Sequence, residues 1–167
     1  MRMVKIQKVH FQYYLTFIAV LTFGCQADNK SVDVFSYQID NSTEKIETLK
    51  KHLSKESGLI DAEYHIWFQD NGTGGISGPS DYNIKLALKI EPDSLDSWIE
   101  HLEPSSKKIS TDLWDELKLN GNLWETASEP ELYHSSSFAE VKLLFREENI
   151  VLGIYSTMPV DLEYIDE

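Results

Sequence analysis

Ala62-Glu63-Tyr64-His65-Ile66-Trp67-Phe68-Gln69 alternates apolar and polar residues, and so does Asn83-Ile84-Lys85-Leu86-Ala87-Leu88-Lys89-Ile90. In an extended chain successive side chains point to opposite faces. Ala62, Tyr64, Ile66 and Phe68 therefore share one face, and Glu63, His65, Trp67 and Gln69 the other, the signature of a half-buried strand. Ile84, Leu86, Leu88 and Ile90 repeat the pattern. Between the two runs lies the Gly-rich segment from Asp70 to Asp81, which predicts an antiparallel hairpin with a long loop.

Upstream, Val32 to Ile39 reads as a further strand. Asn41-Ser42-Thr43 supplies side-chain oxygens that cap a helix N-terminus. Ile46, Leu49 and Leu53 then recur at helical spacing, with Glu44 and Glu47 early and Lys50, Lys51 and Lys55 late, as the helix dipole favours. Gly58 is the expected stop. Downstream, Pro92-Asp93-Ser94 opens a second helix carrying Leu95, Trp98, Ile99 and Leu102, which Pro104 closes. Thr111 opens a third, with Leu113, Trp114 and Leu117 apolar, ending near Asn120-Gly121. Residues 122–137 read as irregular. Phe138 to Arg146 and Ile150 to Thr157 read as two strands around Glu147-Glu148-Asn149. The expected fold is α+β: an antiparallel sheet of about four strands with two or three helices packed on one face. One domain covers 32–158, and 159–167 is an acidic tail.

Charge divides the chain unevenly. Its 167 residues carry 15 Lys+Arg against 28 Asp+Glu, a net of −13. Residues 1–24 hold Arg2, Lys5 and Lys8 and no acid, so the remainder has 12 bases against 28 acids, a net of −16. Such acidity disfavours nucleic acid, whose phosphates must be neutralised by Lys and Arg. A hydrophobic share of 41% is too high for a disordered acidic chain. The single cysteine excludes an internal disulfide framework and a cysteine-rich zinc site.

The basic start is followed by a charge-free apolar run from Phe11 to Phe23, shorter than the ~20 residues of a membrane span. That is the plan of a secretory signal peptide over 1–24. The run ends in Leu21-Thr22-Phe23-Gly24-Cys25, which resembles the lipobox of bacterial lipoproteins. Gly24 fits the pattern, and Thr22 and Phe23 depart from its commonest form. The resemblance implies that the Cys25 thiol takes a diacylglyceryl group. Cleavage then follows before Cys25, whose freed amine is acylated. Residues 25–31 become a lipidated tether. Gln26 rather than Asp in the next position implies sorting to the outer membrane, facing the periplasm.

The loop concentrates glycines: Gly72, Gly74, Gly75 and Gly78 fall within seven residues. Successive backbone amides can form an anion nest. A phosphate loop, however, needs Gly-Lys-Ser/Thr and a following helix, and neither is present. Asp70, Gly75 and Asp81 mimic three places of a calcium loop, but Gly72 and Gly74 stand where side-chain ligands are required. The plain alternative is a hairpin loop whose glycines adopt positive φ, with Asp81 fixing the exit through an Asx-type turn. Recognition is common on such loops, so Gly72, Gly74, Gly75, Gly78 and Asp81, with Trp67 on the polar strand face, are candidate partner-binding residues. Trp98 and Trp114 lie on apolar helix faces and are expected in the core.

His52, His65, His101 and His134 lack the spacing of a zinc site, so no metal or cofactor is expected. Ser80, His65 and Asp81 supply the residue types of a hydrolytic triad, without a Gly-x-Ser-x-Gly elbow. The expectation is thus a lipid-anchored cell-envelope protein with a non-enzymatic binding domain, docked to an envelope protein or a cationic partner. One alternative is an envelope hydrolase using His65 and Asp81. Another is an immunity-type lipoprotein that neutralises a cationic toxin by charge.

Overall fold

The period-two hairpin forms part of a larger sheet. A computed structural model describes residues 31–53, 57–72 and 79–160. The expected signal peptide, Cys25, most of the expected tether and residues 161–167 lie outside them. Strands β1 (Ser31–Phe35), β2 (Leu59–Gln69), β3 (Asp81–Ile90), β4 (Glu103–Ser105), β5 (Glu131–His134), β6 (Glu140–Phe145) and β7 (Ile150–Ser156) make one antiparallel sheet in the order β1-β2-β3-β7-β6-β5-β4. The α+β class with an antiparallel sheet is as the alternation implies. The strand number is seven, not about four.

The missed strands are short and peripheral. β5 lies inside the stretch read as irregular, and β4 contains Pro104, which was read only as a helix stop. Proline is tolerated there because β4 is an edge, where its missing N–H leaves no ladder bond unmade.

Helices cover both faces, not one. On the first face, helix α1 (Ser42–Lys50) and the 3-10 helix η2 (Pro92–Trp98) contribute Leu49, Leu95 and Trp98 to a core with Tyr64, Ile66, Leu86, Leu88 and Leu144. On the second, the 3-10 helix η3 (Thr111–Leu117) packs Trp114 and Leu117 against Val141, Leu143, Phe145, Leu152 and Ile154. The Trp114 indole N–H donates to the Gly153 carbonyl at 3.0 Å. Both tryptophans are core residues, 1% exposed. The second and third helices are 3-10 rather than α. Each is seven residues long, too short to propagate an α-helix against its nucleation cost.

Helix α1 starts as the capping residues predict: Asn41 Oδ1 accepts from the amides of Thr43 and Glu44 at 2.9 and 3.2 Å. It ends at Lys50, well before Gly58. Gly58 instead sits at φ +67°, and a Cβ there would lie 2.4 Å from the Ser94 side chain. A third 3-10 turn, η1 (Ser36–Gln38), follows β1. Its buried Ser36 hydroxyl accepts from the Tyr64 amide at 2.8 Å and donates to Glu63. Lys45 pairs with Glu63 at 2.6 Å, and the Tyr64 hydroxyl reaches the Lys45 carbonyl at 3.0 Å. This network binds β1, α1 and β2 together. The predicted acidic tail begins inside the fold: Val160 packs on the second core and donates its amide to the Phe138 carbonyl at 3.0 Å.

Candidate functional site

Strand register brings together residues far apart in sequence. On the first face Ile66, Ile84, Tyr155 and Glu140 form one row across β2, β3, β7 and β6. Phe68 and Tyr82 pair on one side of that row, and Leu86, Gly153 and Lys142 align on the other. Gly153 is required there, since a Cβ would lie 2.7 Å from Leu86 Cδ1. The chain after α1 brings His52 and Leu53 over one end of the row, and η2 with the following turn brings Trp98 and His101 over the other. The space between is a half-open cleft of about 760 Å³. That volume lies in the range of small-molecule sites. The cleft is amphipathic along its length: Leu53, Ile66, Phe68 and Ile84 line one end, and His101, Glu140, Lys142 and Tyr155 the other.

The polar end is an interlocked charge cluster. Lys142 is 1% exposed. Its ammonium donates to the Trp98 carbonyl at 2.5 Å and lies 2.7 Å from Glu140 Oε1. It also lies 5.2 Å from the Tyr155 ring centroid, within cation–π range. Glu140 Oε2 meets His101 Nε2 at 3.0 Å. Burial opposes the Glu140 charge, but Lys142 and then His101 outweigh it and hold the carboxyl below its ordinary range. Burial, reinforced by the Glu140 charge, pushes the Tyr155 phenol well above its ordinary range. A buried lysine tolerates desolvation only when paired and hydrogen-bonded, and both conditions are met. The described lining contains no Ser, Thr or Cys nucleophile. What the cluster offers a ligand is a fixed, ionised acceptor at the end of an apolar trough.

The candidates from sequence fall elsewhere or at the margin. Trp67 is partly buried and borders the cleft, although alternation places it on the opposite face of β2 from Ile66 and Phe68. The Gly72 amide donates to Asp70 Oδ1 at 2.9 Å, so the Asx-type turn belongs to Asp70. Asp81 instead accepts from Asn71 Nδ2 at 2.7 Å and Thr157 Oγ1 at 3.3 Å, closing the neck of the hairpin and tying it to the end of β7. Gly74, Gly75 and Gly78 lie outside the described residues, as does Cys25.

His65 and Asp81 are not brought together. Register pairs His65 with Lys85 and Asp81 with Gln69, four residues along β3 or about 13 Å. The His65 ring sits between Asp33 Oδ1 and Glu116 Oε1, each at 2.9 Å, and stacks on Phe35. Among the described residues no group of three or more His, Cys, Asp or Glu is placed to hold a metal ion.

Glu140, Lys142, His101 and Tyr155 were missed by sequence reasoning. One signal was legible: Lys142 interrupts Val141-Lys142-Leu143-Leu144-Phe145, and a lysine within an apolar strand must find a partner. Its partner Tyr155 lies on the neighbouring strand, and His101 arrives from a distant turn, so composition and periodicity could not join them. No family model matches the chain, and comparison with curated proteins and with solved structures found no match either.

Proposed function

We propose that this chain is a lipid-anchored bacterial envelope protein, tethered through Cys25 and facing the periplasm from the outer membrane, whose domain binds a partner without chemical turnover. The anchor rests on the order of charge, apolar run and Leu21-Thr22-Phe23-Gly24-Cys25 at the N-terminus. Two or more acyl chains hold a domain to a bilayer where one does so only marginally, at ~0.8 kcal/mol per buried CH₂. Among the described residues no helix is long and apolar enough to cross a membrane.

The binding role rests on one observation: a half-open, amphipathic cleft of about 760 Å³ on the first sheet face, built from five separate elements and two turns. A sheet buried on both faces has no structural need for such a trough. Keeping it open forgoes apolar burial at about 25 cal/mol per Å². The anchor is tested in a bacterial host fed a labelled fatty acid. The chain is expected to take up label and sediment with membranes. Cys25→Ser is expected to lose the label and to leave the membrane fraction. A Cys25→Ser chain that keeps its lipid label would overturn the proposal.

A further inference from the structure

We infer that the cleft takes a cationic amphiphile: an ammonium group carried on an apolar or aromatic body, with the ammonium on Glu140 and the body over β2 and β3. The inference deepens the proposed binding role and rests on the cleft being the domain's ligand site.

The geometry sets the two ends. Ile84 and Glu140 are separated by two strand spacings, about 10 Å, so one small molecule can reach both. The apolar end, Ile66, Phe68 and Ile84 with Leu53, matches a hydrocarbon or ring. At the other end Glu140 supplies the acceptor, its side chain 16% exposed. Glu140 Oε1 is taken by Lys142 beneath it, and Oε2 faces His101, whose side chain is 58% exposed.

A carboxylate accepts about four hydrogen bonds, so a donor from a ligand fits beside Lys142 and Tyr155. An exposed imidazole is the contact such a donor can displace. An anionic head would meet the Glu140 carboxylate and a domain of net −16, and is disfavoured. An uncharged hydroxyl would bond Oε2 without drawing on that field. An ammonium gains both the charge-assisted bond and the long-range attraction. The same chemistry can come from a free amine or from a lysine beside an apolar side chain in a peptide.

The test uses the full chain in zwitterionic nanodiscs, with empty nanodiscs as reference, titrated with three probes of one shape: phenylbutylamine, phenylbutanol and phenylbutyrate. The amine is expected to bind about tenfold more tightly than the alcohol, and the acid least. High salt should weaken the amine and leave the alcohol unmoved. His101→Ala should leave amine affinity equal or higher, because it frees Oε2. The paired variant Glu140→Gln/Lys142→Met, its fold checked by melting temperature, should bring the amine-to-alcohol ratio close to one.

An acetylated Phe-Lys-Phe amide binding above the free amine assigns the source to a protein. Equal or weaker binding assigns it to a small molecule. Alcohol or acid binding as tightly as the amine overturns the cationic assignment while the cleft remains a binding site. No binding by any probe overturns the cleft itself.

Discussion

Ser36 and Lys142 show what single residues do here. The Ser36 hydroxyl is fully buried, accepts a hydrogen bond from the Tyr64 amide and donates one to Glu63. Ser36→Ala leaves a buried amide without its partner, a cost of about 1–3 kcal/mol. Denaturant unfolding should show a lower midpoint with an unchanged slope. An unchanged midpoint would mean the network carries no stability. Lys142 was legible in sequence as an anomaly, a cation inside Val141 to Phe145, but not as part of a site. What makes it one is Glu140 two residues earlier on the same face and Tyr155 across the strand pair, and only the register supplies that juxtaposition. Asp81 shows the reverse. Its residue type and place predicted a local turn, yet its bonds go to Asn71 across the hairpin neck and to Thr157 at the end of a distant strand.

At the scale of elements, the long strands were legible and the short ones were not. β2 and β3 each bury one side more than the other, which writes a period of two into the sequence. β4 and β5 have three and four residues, too few for any period to emerge. β7, read correctly as a strand, carried one further message: Ile150-Val151-Leu152-Gly153-Ile154 is apolar without alternation, as a strand covered on both faces must be.

The turn before β7 also reaches outward. Glu148 caps residues 127 and 128, accepting from both amides at 2.7 and 2.8 Å and from the Ser128 hydroxyl. The Ser128 hydroxyl, then the two amides, hold its carboxyl down to about 2, against an ordinary 4.5. A carboxyl whose folded value is depressed stabilises the fold above its ordinary value and loses that contribution as pH falls towards the folded value. Glu148→Gln should therefore melt below the parent at neutral pH, and the gap should close between about pH 4.5 and 2. A gap constant across that window would show that the charge is not what the cap uses.

For the whole molecule, the net charge of −13 joins two unlike parts, a basic stretch over 1–24 and a remainder of net −16. The class of fold followed from the hairpin, but the two-sided layering did not. A helix with one apolar stripe does not say which face of the sheet it covers. The cleft lies where α1 and η2 leave the first face uncovered. The envelope proposal depends on where the mature chain begins. Intact-mass and peptide mass spectrometry of the chain recovered from a bacterial membrane fraction decides this directly. The expected N-terminal residue is Cys25, carrying a diacylglyceryl thioether and an acylated amine. A mature chain that starts at another residue, or a Cys25 without lipid, would contradict the account.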